Sequence, residues 1–410
     1  ALDANAPPPR LTPASIRFFA DYSRLFYHPR SVVQLQSHDL NSSLTPFEQY
    51  ATGEELFRDL DREHDLLDRD LRLFVEEADC MQGVQVFGGV GDAWGGFTAR
   101  YVERVRDEYG KVGVWVWGVD GEEGGGREKR LLRLANKART LAEVYKQASV
   151  VVPLAVPARL PSTVRLDRTS PWHTSALLAT AVESATLPAR LRDPLRRDTL
   201  GGMADVLNAM GHQNIAGLQM SFSPAPSDDD NEDARQRRKL SEEDLAEGVQ
   251  LDIQLTPSDQ QRGAHARSNG FDRPRVFSQL VASRGRIRDD QEEGEDVEMD
   301  ETGRRIRRSA YEPVTKSFPT IFHHPNPLPT TTDSPTQEDD TTASELTIPL
   351  NTTTSLSTDS SIFRSLKGLR ESVIRSIGLE DRETLGNELM EMADEYHEGW
   401  SSGSDDGEDD

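Results

Sequence analysis

The 410-residue sequence has one cysteine, Cys80. A disulfide framework and a thiolate metal site within one chain are thereby excluded, and a reducing, intracellular setting is the expectation. No uncharged apolar run reaches about 18 residues, so no membrane-spanning helix is expected. Ala1 to Arg10 lack the basic start and apolar stretch of a secretory signal. An initiator Met is also missing, which suggests that the numbering begins partway into a longer protein. Hydrophobic residues make up 35% and charged ones 29%, below the usual capacity for burial in a chain of this length. Negative charge dominates the second half. Residues 1–220 carry 26 Lys and Arg against 29 Asp and Glu, whereas residues 221–410 carry 21 against 42. This excess of carboxylates argues against wrapping nucleic acid, because holding phosphates requires clustered cations.

The first half reads as a folded domain and the second as a largely solvated appendage. Residues 1–11 form an extended leading segment marked by Pro7 to Pro9. Thr45-Pro46-Phe47-Glu48 has the pattern of a capping box with proline at the first helical position, and Thr52-Gly53 that of a second cap. Leu56, Leu60, Leu66, Leu67, Leu71, Phe74 and Val75 then recur at helical spacing. The charges between them, His64 included, read as a solvated face.

Gly83 to Phe87 reads as a short buried strand, Gly88 to Gly96 as a loop with five glycines, and Phe97, Tyr101, Val102, Val105 and Tyr109 as a helical stripe. Val112 to Trp117 is a second strand, completing a βαβ unit whose strands should be parallel. Further helices are expected over Leu131–Tyr145, Trp172–Ala185 and Thr199–Met210, and strands over Ser149–Val156 and Ile215–Phe222. Such alternation predicts an α/β fold with a mainly parallel, Rossmann-like sheet.

After Pro224 the pattern collapses. Nine of the thirteen residues 289–301 are acidic, and residues 325–360 are rich in Thr, Ser and Pro. Residues 223–360 are therefore expected to be largely disordered, with apolar islands at Val249–Leu255, Val276–Val281 and Val314–Phe322 returning to the first domain as strands. Residues 361–400 form a C-terminal helical segment and 401–410 an acidic tail. Within 361–379, Ile362, Phe363, Leu366, Leu369, Val373 and Ile377 make an apolar helical face beside Arg364, Lys367, Arg370 and Arg375. Such a helix either lies on an anionic membrane surface as a peripheral contact or docks against the first domain.

Several local patterns together resemble the Misato family, tubulin-like proteins linked to mitochondrial inheritance. Glu76-Glu77-Ala78-Asp79-Cys80-Met81-Gln82-Gly83 leads into the glycine-rich segment as in that family, and Val105-Arg106-Asp107-Glu108-Tyr109 follows it. His28-Pro29-Arg30-Ser31, Trp115-Val116-Trp117-Gly118 and Ser175 to Ala181 with Thr186-Leu187-Pro188 add to the likeness, which spans about residues 12–222. The resemblance implies a tubulin-like domain over 12–222, a role in partitioning mitochondria and their DNA, a place at the cytoplasmic face of the mitochondrion and in the cytoplasm, and protein partners, cytoskeletal ones among them. It also implies a missing N-terminal segment, since family members begin with a strand and a Gly-Gln loop that touches phosphate.

The departures bear on chemistry. Tubulins cradle nucleotide phosphates in a loop of small residues, and Val90-Gly91-Asp92-Ala93-Trp94-Gly95-Gly96 takes that place here. Asp92 puts a carboxylate, and Trp94 bulk, where a bare backbone is wanted. In a dry site that charge opposes phosphate by about a few kcal/mol. Asp198 stands where the resemblance implies a catalytic acid. Two readings of Gly88, Gly89, Gly91, Gly95 and Gly96 follow: a vestigial phosphate loop for GTP, making the chain a GTP-binding switch or weak GTPase, or a tight strand-to-helix turn in a non-enzymatic organiser without cofactor. The second is the expectation. Cys80 reads as a small buried hydrophobe, His173 as a core or edge histidine, and His323-His324-Pro325 as a loop without companion metal ligands.

Overall fold

The computed structural model describes residues 11, 15–23, 27–35, 37–38, 44–121, 126–158, 160, 164–224, 274–284, 298–299, 305–311, 321, 350–375 and 381–397. After the single turn α1 (Phe19–Tyr22) come α2 (Tyr50–His64), a π-turn over Leu67–Leu71 and α3 (Arg72–Glu77). The capping box expected at Thr45 does not start a helix: α2 begins at Tyr50, and Thr52 and Gly53 lie inside it. Tyr50 N–H is held instead by Asn136 Oδ1 (3.3 Å), so a tertiary contact decides the first helical residue. Asp65, left-handed at φ 47°, ends α2 and lets the chain bend before Leu66 and Leu67 enter the core.

The βαβ unit is present. Strand β1 (Gly83–Gly89) leads through α4 (Ala93–Glu108) to β2 (Gly113–Val119), and α5 (Arg127–Gln147) leads on to β3 (Val150–Leu154). The order is β1-β2-β3, all parallel, with Val84 opposite Val114 and Val116 opposite Val151. Successive side chains supply opposite faces. Trp115, Trp117, Val150, Val152 and Leu154 enter a core with α6 (Pro171–Thr186) and α7 (Leu200–Leu207). Val114, Val116 and Val151 enter a second core with α4 and α5. Among the described residues β1 is the edge of this sheet, and Phe87 is more exposed than the expected buried strand would allow.

A second, mixed sheet has the order β4-β8-β5-β7-β6, formed by Gly217–Pro224, Leu350–Asp359, Val276–Arg284, Arg305–Tyr311 and Glu298–Met299 respectively. Only β5 and β7 run parallel in it. The boundary expected at residue 222 thus runs through a strand paired with β8. The two sheets meet where Val151 N–H donates to Asn214 O (2.7 Å) and Ala216 N–H to Val151 O (3.0 Å). The island at Val276–Val281 is a strand and Ile321 is buried, whereas Val249–Leu255 lies outside the described residues.

Strand β8 corrects the expectation of disorder through residue 360. Six of its ten residues are Ser or Thr, yet it is an interior strand, and two of its buried hydroxyls find acceptors: Thr358 Oγ1 donates to Leu207 O (3.1 Å) and Thr354 Oγ1 to Ala282 O (3.2 Å). Asp359, also buried, accepts from Ser361 N–H (2.8 Å) and starts α8 (Ser361–Arg375). Helices α8 and α9 (Arg382–Asp394) form a hairpin on α5. Ile362, Leu366, Leu369 and Val373 are buried there, which favours the docking alternative for this helix; Ile377 lies outside the described residues. Among the described residues no helix is long and apolar enough to cross a membrane.

Candidate functional site

The carboxyl ends of β1 and β2 face the N-terminus of α4, the place where open parallel sheets bind ligands. Strand β1 persists through Gly89 and α4 starts at Ala93, so the turn is only Val90-Gly91-Asp92. Val90 N–H donates to Val119 O (3.1 Å) and Asp120 N–H to Leu154 O (2.7 Å), keeping this end of the sheet in ladder-like contact.

Asp92 is the N-cap of α4. Its Oδ1 accepts from Trp94 N–H (2.9 Å), and its carbonyl accepts from Gly95 N–H (3.1 Å). The first free donors of the helix, which elsewhere hold anions, are thus turned toward Asp92 itself. Burial pushes the Asp92 carboxyl above its ordinary range, against the Trp94 N–H and the nearby Arg133, which favour the charged form. Trp94 is 40% exposed and packs edge-on to Phe47 (5.1 Å between ring centres) and Phe97 (5.5 Å).

The five glycines divide by position. Gly88 and Gly89 are strand residues, Gly91 is in the turn, and Gly95 and Gly96 are inside α4. A Cβ on Gly95 would stand 2.1 Å from Thr140 Oγ1 of α5, and one on Gly96 2.1 Å from Tyr50 O of α2. A Cβ on Gly88 would meet Thr98 Oγ1 at 2.2 Å, and one on Gly89 would meet Asp92 Oδ1 at 3.0 Å. Only Gly91 has ordinary clearance, 3.5 Å from Asp120 Oδ1. Gly88, Gly95 and Gly96 are therefore closed to a Cβ by this chain's own atoms, and Gly89 is tight.

A polar cluster that the sequence reading did not single out closes the site from behind. Asn136 Nδ2 donates to Glu48 O (2.7 Å) and Gly91 O (3.1 Å), tying the turn to the lead-in of α2. Lys137, buried on α5, forms a close ion pair with Asp120 at the end of β2. With Asp120 and Lys137, Val90, Gly118, Val151 and Pro153 line a mostly apolar cavity of about 30 Å³, room for water. The legible signal was Asn136 and Lys137 interrupting the apolar stripe of α5.

Other candidates stand apart. Asp198 is bound to Arg307 of β7 (2.5 Å) and accepts from Thr199 N–H (2.7 Å), beside the start of α7. His173 Nδ1 accepts from Asp167 N–H (3.2 Å) at the head of α6, an edge histidine. Cys80 is exposed, correcting the buried expectation, because the chain bends at Asp79-Cys80 before β1. His64 lies beside Glu63 (3.5 Å) at the end of α2. Among the described residues no group of three or more His, Cys, Asp or Glu could hold a metal ion; His323 and His324 lie outside them.

The pattern of a parallel sheet, a glycine turn and a long helix agrees with comparison to known proteins. A tubulin domain model matches residues 8–191. Protein dml-1 of Neurospora crassa is 55% identical over 435 aligned positions, covering the whole of this chain and 79% of that protein. Protein DML1 of Gibberella zeae is 38% identical, covering the whole chain and 78% of that protein. Protein misato homolog 1 of Macaca fascicularis is 32% identical over 54% of this chain and 41% of its own length. With that identity across its full length and a tubulin-like α/β fold around the glycine turn, the chain belongs to the Misato/DML1 family of tubulin-like proteins.

Proposed function

We propose that this chain is a non-catalytic, tubulin-like organiser that partitions mitochondria and their DNA, working at the cytoplasmic face of the organelle and in the cytoplasm through protein partners, cytoskeletal ones among them. The mitochondrial part rests on the family resemblance. The non-catalytic part rests on one observation: the Asp92 carboxylate caps α4 at the point where a phosphate would have to sit. An anion brought there meets a like charge and donors already engaged, and Gly95 and Gly96 in the first turn of the helix have no room for a side chain. Asp198, bound to Arg307, supports the same reading, because its carboxylate is held by a cation rather than facing a water to activate.

The organising role is tested by depleting the chain in its host and counting daughter cells that inherit mitochondrial DNA, alongside fractionation of a tagged copy. The expected result is a tagged copy in the mitochondrial and cytosolic fractions and daughters without mitochondrial DNA. Normal inheritance after complete depletion contradicts it.

A further inference from the structure

The cationic helix near the C-terminus has its apolar face buried, but a different segment combines exposed aromatics with positive charge. In residues 15–35, Phe18 is 72% exposed, Phe19 59%, Tyr27 47% and Val32 60%. These are large apolar side chains concentrated within 15 positions, whereas scattered single ones would require no explanation. They stand on a folded support. Asp21 accepts from the N–H groups of Arg17 (2.7 Å) and Phe18 (2.8 Å), fixing the α1 turn, and the Phe19 and Tyr27 rings lie 6.3 Å apart. His28 packs edge-on to Phe74 of α3 (5.7 Å), and the 3-10 turn Pro29–Ser31 leads into Val32.

The charge of this segment runs against that of the chain. Among the described residues of 15–35, Arg17 and Arg30 stand against Asp21 alone, in a chain of net charge −24. Asp21 is already engaged with backbone N–H groups, and Arg17 and Arg30 are exposed. Phe and Tyr at a surface flanked by Arg suit the headgroup boundary of a bilayer, where rings enter the apolar layer and guanidinium groups pair with lipid phosphates. Screening over about 8 Å at physiological ionic strength keeps remote carboxylates from opposing the contact.

We propose that the Phe18–Phe19–Tyr27–Val32 surface, with Arg17 and Arg30, docks the chain peripherally on an anionic lipid surface. This deepens the proposed place at the face of an organelle and rests on that reading for its setting alone. Vesicle binding is measured with purified protein, so its failure would leave recruitment by protein partners standing.

The test is flotation of the chain with phosphatidylcholine vesicles, with and without roughly one-third phosphatidylserine. The expected result is flotation with the anionic vesicles only, reduced more than about tenfold by Phe18→Ser with Phe19→Ser at an unchanged circular dichroism spectrum. Arg17→Glu with Arg30→Glu should abolish the preference for anionic lipid. The added fluorescence of Phe19→Trp, taken against the wild-type chain, should be quenched by brominated acyl chains, a reading that serves even if the double serine variant fails to fold. An unbound wild-type chain, no added quenching in Phe19→Trp, or a dimer that the serine variant dissociates would overturn the proposal, the last by assigning the surface to a second copy.

Discussion

A Cβ on Gly53 would stand 1.7 Å from Ala93 O, and one on Gly96 2.1 Å from Tyr50 O, so α2 and α4 touch backbone to backbone at these two residues. Such an approach leaves no flexible side chain to move aside. Gly96→Ala is expected to destabilise the fold by about 1–3 kcal/mol, read as a lowered denaturation midpoint. Gly110→Ala, whose nearest neighbour would be Arg106 O at 3.6 Å, should fall within about 0.5 kcal/mol of wild type. Equal effects would remove the packing explanation. The residue scale was the least legible in the sequence. Five glycines before a helical stripe announced a turn, but nothing in their spacing told that Gly95 and Gly96 are helical, because what excludes a side chain there comes from Tyr50 and Thr140, 46 and 45 residues away in sequence. Asn136, Lys137 and Asp120 were missed for the same reason: each looks like ordinary helix or strand-end polarity until the fold brings them behind Gly91.

Elements were read more faithfully where a period was strong. The alternating Val and Trp of β2 and the stripe of α4 appear nearly where expected, since both periods are enforced by cores on the two faces of the sheet. Strand β8 is not legible from apolar content, because its hydroxyls find carbonyl acceptors on β5 and at the end of α7 once the strand lies between β4 and β5. The C-terminal hairpin offered two readings from the sequence, and burial of Leu366, Leu369 and Val373 favours docking. Leu366→Ala should therefore cost about 2–5 kcal/mol in chemical denaturation. An unchanged midpoint would mean that α8 does not pack on α5 and α9 in solution.

Across the whole molecule, two sheets share one core through Leu218, Met220, Leu280 and Leu356, so the acidic half of the chain contributes strands to the fold of the first half. The salt bridges Arg100–Glu54 (2.9 Å), Arg100–Glu143 (2.8 Å), Lys146–Glu143 (3.0 Å) and Lys146–Glu388 (2.9 Å) extend from α2 through α4 and α5 to α9. At this scale the family was legible in the sequence and the tubulin-like framework follows from it. What the framework does with its phosphate end depends on the cap at Asp92. Isothermal titration of the purified chain with GTP and magnesium tests this most directly. The account predicts no saturable heat up to about 1 mM nucleotide, whereas binding at about 1 μM would contradict it.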